Sequence, residues 1–264
     1  MNKFDYKIEP GVPHFLRDDE LHVWRIDLGI VGSSQNDNAL SADEQERAGT
    51  YRRPEDAGRY VAARTGLRRV LGLYLDVRPE DVRFVYNEYG KPELDRKFHG
   101  DAFHFNLSRS GNITIIAVSD NSSVGVDVEF IDPDFPFLSV AEKYFPLPTV
   151  KRLRQLPSDL ARSMFFEVWT TIEAYGKGKG AGLSDSMRLD HANRRTTQIA
   201  NCGAGQLSPS KDWSVRKIFA GHDYAAAVAT KHPVSCCRYW KVLPGRRATE
   251  QSLASVTANF RGKY

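Results

Sequence analysis

Two carboxylates alternate along one short stretch of this chain. In Val-Gly-Val-Asp-Val-Glu-Phe, residues 124–130, Asp127 and Glu129 project to one side beside Gly125, while Val124, Val126, Val128 and Phe130 project to the other. The valines mark a strand with one buried face. Like charges stacked on the second face repel, so a positive group is expected between them. A third acid, Glu173, stands four residues before Lys177 in a helical segment. An ordinary surface ion pair is one reading of that spacing. The run Gly-Lys-Gly-Lys-Gly at 176–180 adds open backbone and the cations Lys177 and Lys179, which suit phosphates. A P-loop is excluded, because no GxxxxGK[ST] occurs and these glycines follow a helix instead of opening one. Arg64, Lys91 and Arg109 are further candidate cations. Hard carboxylate oxygens are what magnesium takes, together with substrate phosphates. Acids and cations together fit phosphate chemistry on a nucleotide-like ligand.

These side chains must be positioned by regular elements. Ser41 and Glu44 have the capping-box spacing at the start of a helix. A second helix begins near Pro54, and Tyr60, Leu67, Leu71 and Tyr74 share one stripe of it. Arg64 lies on that stripe, so it either snorkels to the core edge or meets a buried anion. A strand is expected within residues 78–86, followed by a Gly-Lys-Pro turn that presents Lys91. Residues 103–120 read as strand, turn, strand. Phe103, Phe105 and Leu107 face inward, Ser110-Gly111-Asn112 form the tip, and residues 124–130 are expected as a third strand of that sheet. The second half opens with polar, proline-rich sequence. A strong helix capped by Ser158 follows, with Phe165, Val168, Trp169, Ile172 and Tyr175 on its buried face and a glycine-rich exit at 178–183. Later strands are expected near 213–220 and 223–230. The tail from Lys231 is weakly patterned and is assigned no function. The fold class is α+β, two halves of helix plus antiparallel strands, divided as 1–131 and 132–264.

Composition bounds the function. The chain has 264 residues with 41% hydrophobic and 27% charged, enough to bury a real core. No apolar run is long enough for a membrane span, and the first ten residues lack the apolar stretch of a signal peptide, so a cytoplasmic protein without membrane contact is expected. Cys202 stands alone and Cys236 and Cys237 are adjacent, a poor spacing for disulfides or zinc. The net charge of +4 suits an anionic partner but is too small to argue for nucleic acid.

Several blocks, in order, resemble the signature segments of the 4′-phosphopantetheinyl transferases of the long, surfactin-type class. They are Arg52–Gly72, Glu88–Pro92, Phe105–Gly111, Gly125–Glu129 and Trp169–Leu183. The resemblance implies a pseudo-two-fold arrangement of two α+β halves with coenzyme A in the cleft between them. It implies transfer of the phosphopantetheine arm from coenzyme A to a serine of an apo acyl or peptidyl carrier protein, leaving 3′,5′-ADP, by a magnesium-dependent monomer. Asp127, Glu129 and Glu173 match the metal-binding acids. Arg53, Arg64, Lys91 and Pro92 match coenzyme A-binding positions, Lys91 at the adenosine and 3′-phosphate end, and Ser108 and Arg109 match positions beside the pyrophosphate. Lys177 matches the lysine near the transferred phosphate and is catalytic together with Glu173, which acts as general base or as metal ligand only.

Three positions depart from the family. Arg109 stands where histidine is usual and keeps a phosphate-binding charge without a titrating proton. Ile172 replaces a lysine before the helix glutamate. Thr149 aligns with a glutamate that could serve as base, which shifts that burden to Glu173. The three acids remain, which favours an active enzyme. The alternatives are a non-catalytic homologue that binds coenzyme A or carrier protein, and a general polyanion-binding module, which gives no reason for three acids to be placed together.

Overall fold

The computed structural model describes residues 16–28, 39–120, 122–180, 207–210, 212–242 and 249–250. Cys202 and the end of the glycine-rich exit, residues 181–183, lie outside the described residues. In chain order the elements are β1 (Glu20–Asp27), α1 (Ala42–Gly49), α2 (Pro54–Leu75), β2 (Phe84–Tyr86), β3 (Pro92–Leu94), α3 (Arg96–His99), β4 (His104–Ser110), β5 (Ile113–Ser119), β6 (Val124–Phe130), α4 (Phe137–Tyr144), α5 (Leu147–Gln155), α6 (Ser158–Lys179), β7 (Leu207–Ser210), β8 (Trp213–Lys217), β9 (Tyr224–Thr230), β10 (Cys236–Val242) and β11 (Thr249–Glu250).

The result is α+β, built in layers. A five-stranded sheet, β11-β10-β1-β5-β4, faces a four-stranded sheet, β6-β9-β8-β7. Leu21, Val23, Ile113 and Ile115 from the first meet Val124, Val126, Val128 and Val228 from the second. Helix α2 covers the outer face of the first sheet, where Leu67 and Leu71 pack on Trp24, Ile116 and Trp240. Helix α6 covers the outer face of the second, with Phe165, Ile172 and Tyr175 in a core that α4 and α5 complete. Alanines 225, 227 and 229 of β9 lie beneath α6, and their small side chains let the helix approach the sheet.

Three expectations need correction. The 124–130 strand is not the third strand of the 104–119 sheet: β6 pairs with β9 in the other sheet, antiparallel. It lies along the edge of β4, but the seam is made by side chains. Asn106 Oδ1 accepts from Val126 N at 2.8 Å and Ser110 Oγ accepts from Phe130 N at 2.9 Å, so these side chains take the amides that a ladder would use. Nor is only one face of β6 buried, since α6 covers the acidic face as well. Asp127 is buried. At the start of α6, Pro157 occupies the cap position and Ser158 is the first helical residue.

The proline-rich stretches of the second half begin helices. Pro136 and Pro146 each precede one, and Pro148 sits in the first turn of α5, where a missing N–H costs nothing. The C-terminal segment also acquires a place, because β10 pairs in parallel with β1. Sheet membership thus crosses the expected boundary at residue 131. Among the described residues no helix is long and apolar enough to cross a membrane.

Candidate functional site

The seam between β4 and β6 carries the acids. Asp127 and Glu129 point from β6 toward α6, and each is met by a serine of β4. Ser108 Oγ donates to Asp127 Oδ1 at 2.9 Å, and Ser110 Oγ donates to Glu129 Oε2 at 2.8 Å. The alternation that sets the two acids on one face of β6 also sets Ser108 and Ser110 on one side of β4. From above, α6 lowers Lys177, whose ammonium donates to Asp127 Oδ1 at 2.6 Å and to Ser108 Oγ at 2.9 Å. Glu173 is one helical turn earlier on the same helix, half-buried.

Close approach of α6 to β6 depends on glycine. A side chain at Gly125 would overlap the Ala174 carbonyl oxygen and the Gly178 backbone nitrogen, and one at Gly178 would strike the Trp213 ring. The Gly-Lys-Gly-Lys-Gly run therefore works chiefly as helix–strand packing: Gly176 and Gly178 are buried inside α6, which ends at Gly180 in the left-handed conformation.

Electrostatically the site is short of positive charge. Burial raises the Asp127 carboxyl above its ordinary value, against the pull of Lys177 and Ser108. Glu129 is raised by burial and then by the Asp127 charge. Glu173 is pushed up to about 7, by burial first and by Asp127 next, while Lys177 opposes the shift. Asp127 Oδ2 is buried without a hydrogen-bond partner. The positive group expected between the strand acids is, in part, the Lys177 ammonium. Among the described residues no three Asp, Glu, His or Cys side chains form a preformed metal cage. Burial and mutual repulsion disfavour charge on all three carboxylates, and Asp127 keeps a vacant buried oxygen, so the chemistry of the strand acids suits a hard divalent cation.

A cleft of about 1170 Å³ opens onto the two strand acids and Lys177, and Glu173 is not part of its lining. Asp127, Glu129, Lys177, Ser108 and Arg109 line its floor, and Arg64 and Pro92 line it as well. Arg47, Thr50, Tyr51 and Arg52 form a further wall that sequence reading passed over, although Arg-Ala-Gly-Thr-Tyr-Arg-Arg at 47–53 was a visible basic signal. Arg53 caps α2 and is not part of that lining. Arg64 did meet a buried anion, an internal one. Glu44 receives its Nε at 2.6 Å and Arg68 Nε at 2.6 Å, while Arg64 also donates to the Tyr86 hydroxyl at 2.8 Å. Glu44 accepts the Ser41 N–H as well, at 3.0 Å, so the helix-start residue doubles as a counterion. Lys91 lines a smaller, separate cavity of about 550 Å³. Of the departures, Ile172 is buried in the α6 core and Thr149 is buried in α5, lining neither cavity.

Known proteins share this chain's sequence over most of its length. Residues 34–121 match the family model described as 4′-phosphopantetheinyl transferase, N-terminal, and residues 123–229 match that of the 4′-phosphopantetheinyl transferase superfamily. The chain belongs to the 4′-phosphopantetheinyl transferase superfamily. Its relatives include the 4′-phosphopantetheinyl transferase HetI of Nostoc sp., 35% identical over 216 residues that cover 81% of this chain and 89% of that protein. The 4′-phosphopantetheinyl transferase ffp of Bacillus subtilis is 30% identical over 165 residues, covering 61% and 71%. The 4′-phosphopantetheinyl transferase Sfp of Bacillus subtilis is 27% identical over 194 residues, covering 74% and 83%. This phosphopantetheinyl transferase is thus an enzyme that passes the phosphopantetheine arm to carrier proteins, and its acid-and-lysine cluster lies in the part matched by the superfamily model.

Proposed function

We propose that the cleft takes coenzyme A, that a divalent cation, Mg²⁺, is bound by Asp127, Glu129 and Glu173, and that the enzyme works as a cytoplasmic monomer on an apo acyl or peptidyl carrier protein. The observation that carries this reading is Lys177 bonded to Asp127 and Ser108 on the floor of an arginine-lined cleft. When bound, the cation would neutralise diphosphate charge and orient the reacting phosphate.

The chain's own groups supply the rest. Arg109 offers charge-assisted hydrogen bonds to the phosphates of coenzyme A, while Arg64, paired with Glu44, shapes the cleft wall. The carrier serine hydroxyl attacks the phosphorus attached to the pantetheine arm, a new phosphoester bond forms, and the bond to the 3′,5′-ADP oxygen breaks. Lys177, which spends two donors on Asp127 and Ser108, gives its third to the phosphoryl oxygens, where charge develops. Glu173 accepts the serine proton, directly or through a bound water, or serves the cation as ligand only.

The test is an incubation of the enzyme with apo carrier protein, coenzyme A and MgCl₂, read by intact-protein mass spectrometry. One phosphopantetheine added to one serine, abolished by a chelator, is expected. Binding of both substrates with no mass gain at any magnesium concentration would overturn the reading.

A further inference from the structure

Lys91 is held rigidly by its turn. Gly90 adopts φ 75°, Asn87 N donates to the Lys91 carbonyl at 3.1 Å, and Asn87 Oδ1 accepts from Lys91 N at 2.9 Å and from Tyr89 N at 3.0 Å. From this turn the side chain crosses to the end of α6. Its ammonium donates to the main-chain carbonyl of Lys177 at 2.7 Å and lies 3.4 Å from the Val124 carbonyl. The Lys177 carbonyl belongs to the last turn of the helix, where unpaired carbonyls and the negative end of the dipole favour a cation. Gly180 N donates to the same oxygen at 3.1 Å. The half-buried ammonium thus spends its donors on protein carbonyls, beside the smaller cavity and not in the cleft.

We propose that Lys91 is a positioning residue for transfer: it pins the main chain of Lys177 so that the Lys177 ammonium stays on Asp127 and the reacting phosphate. This rests on the reading of Lys177 as the lysine that meets that phosphate. A nucleotide-binding lysine would contribute to coenzyme A affinity. A positioning lysine contributes to turnover, because a small shift of a catalytic group costs rate even where binding is kept.

Lys91→Met keeps the aliphatic stem and removes the donor, and Lys91→Arg restores a donor. Steady-state kinetics of both, with Lys177→Met alongside, separate the roles. Lys91→Met is expected to lower kcat by about tenfold to a hundredfold with the KM for coenzyme A within about twofold of wild type. Lys91→Arg should recover part of kcat, which loss of fold alone would not give. A raised KM at unchanged kcat in Lys91→Met would make Lys91 a ligand-binding residue and overturn the proposal. Wild-type values for Lys91→Met beside an inactive Lys177→Met would overturn it too and leave the Lys177 reading standing. Wild-type kcat in Lys177→Met would sink both. Should Lys91→Met fail to fold, Lys91→Gln and Lys91→Arg provide the same kcat-against-KM comparison.

Discussion

The Lys177 ammonium lies 2.6 Å from one oxygen of Asp127, and the other oxygen of the same carboxylate is buried without a partner. Lys177 and Ser108 thus satisfy only one oxygen of an acid that burial would rather keep neutral. Asp127→Asn keeps the shape and an acceptor for Lys177 and Ser108 but removes the charge. Transfer should fall by about a hundredfold to a thousandfold, the scale of losing a preorganised electrostatic group, while the melting temperature holds or rises. A variant that turns over normally would contradict the role given to Asp127.

Glu173 makes stability depend on pH in an unusual direction. Its folded carboxyl sits at about 7 against an ordinary value of 4.5, so between these values the folded state holds a proton the unfolded chain has lost. Stability therefore falls as pH rises through that window, by up to about 3 kcal/mol for a shift of this size. In chelator-treated protein, Glu173→Gln should melt higher than wild type at pH 8, and the two should converge below pH 4.5. Equal melting at both pH values would mean Glu173 is solvated like a surface acid.

His22 acts in the opposite sense. It is fully buried between Tyr74 and Glu20, with Nδ1 2.7 Å from the Tyr74 hydroxyl, and burial lowers its pKa to about 4. The unfolded chain takes up a proton first as pH falls from 6.5, so stability is lost from there down to about 4, again by up to about 3 kcal/mol. Wild type should lose more melting temperature than His22→Gln between pH 7 and pH 5. Parallel losses would remove His22 as the cause.

Gly125 tests the helix–strand contact that brings Lys177 to Asp127. Gly125→Ala would force its methyl against the Ala174 carbonyl and the Gly178 amide. Overpacking against backbone costs about 1–3 kcal/mol or more, and displacement of α6 should also depress transfer. Calorimetry and turnover of this variant at wild-type level would mean that α6 does not sit on β6 this tightly.

The acids were legible in sequence because each obeys a short-range rule. Asp127 and Glu129 follow the two-residue period of a strand, and Glu173 and Lys177 follow the helical repeat. The small partners were not legible. Ser110 and Asn106 matter because β4 and β6 meet edge to edge without a ladder, a relation between sheets that no local pattern encodes. For the same reason the 124–130 strand was assigned to the neighbouring sheet. Glu44 announced itself as a helix start, but its second role as counterion to Arg64 and Arg68 needs partners 20 and 24 residues away. The return of β10 to β1 joins residues more than 200 positions apart, across a segment whose hydrophobic pattern is weak.

In the proposed mechanism, three carboxylates from β6 and α6 share one divalent cation in the presence of coenzyme A. Titration of Mn²⁺ into the enzyme–coenzyme A complex, followed by electron paramagnetic resonance, tests it most directly. One tight site per chain is expected in wild type, lost or weakened at least about tenfold in Asp127→Asn, Glu129→Gln and Glu173→Gln, the scale on which outer-shell changes alone already act. Wild-type Mn²⁺ affinity in all three variants would mean that these carboxylates do not hold the cation.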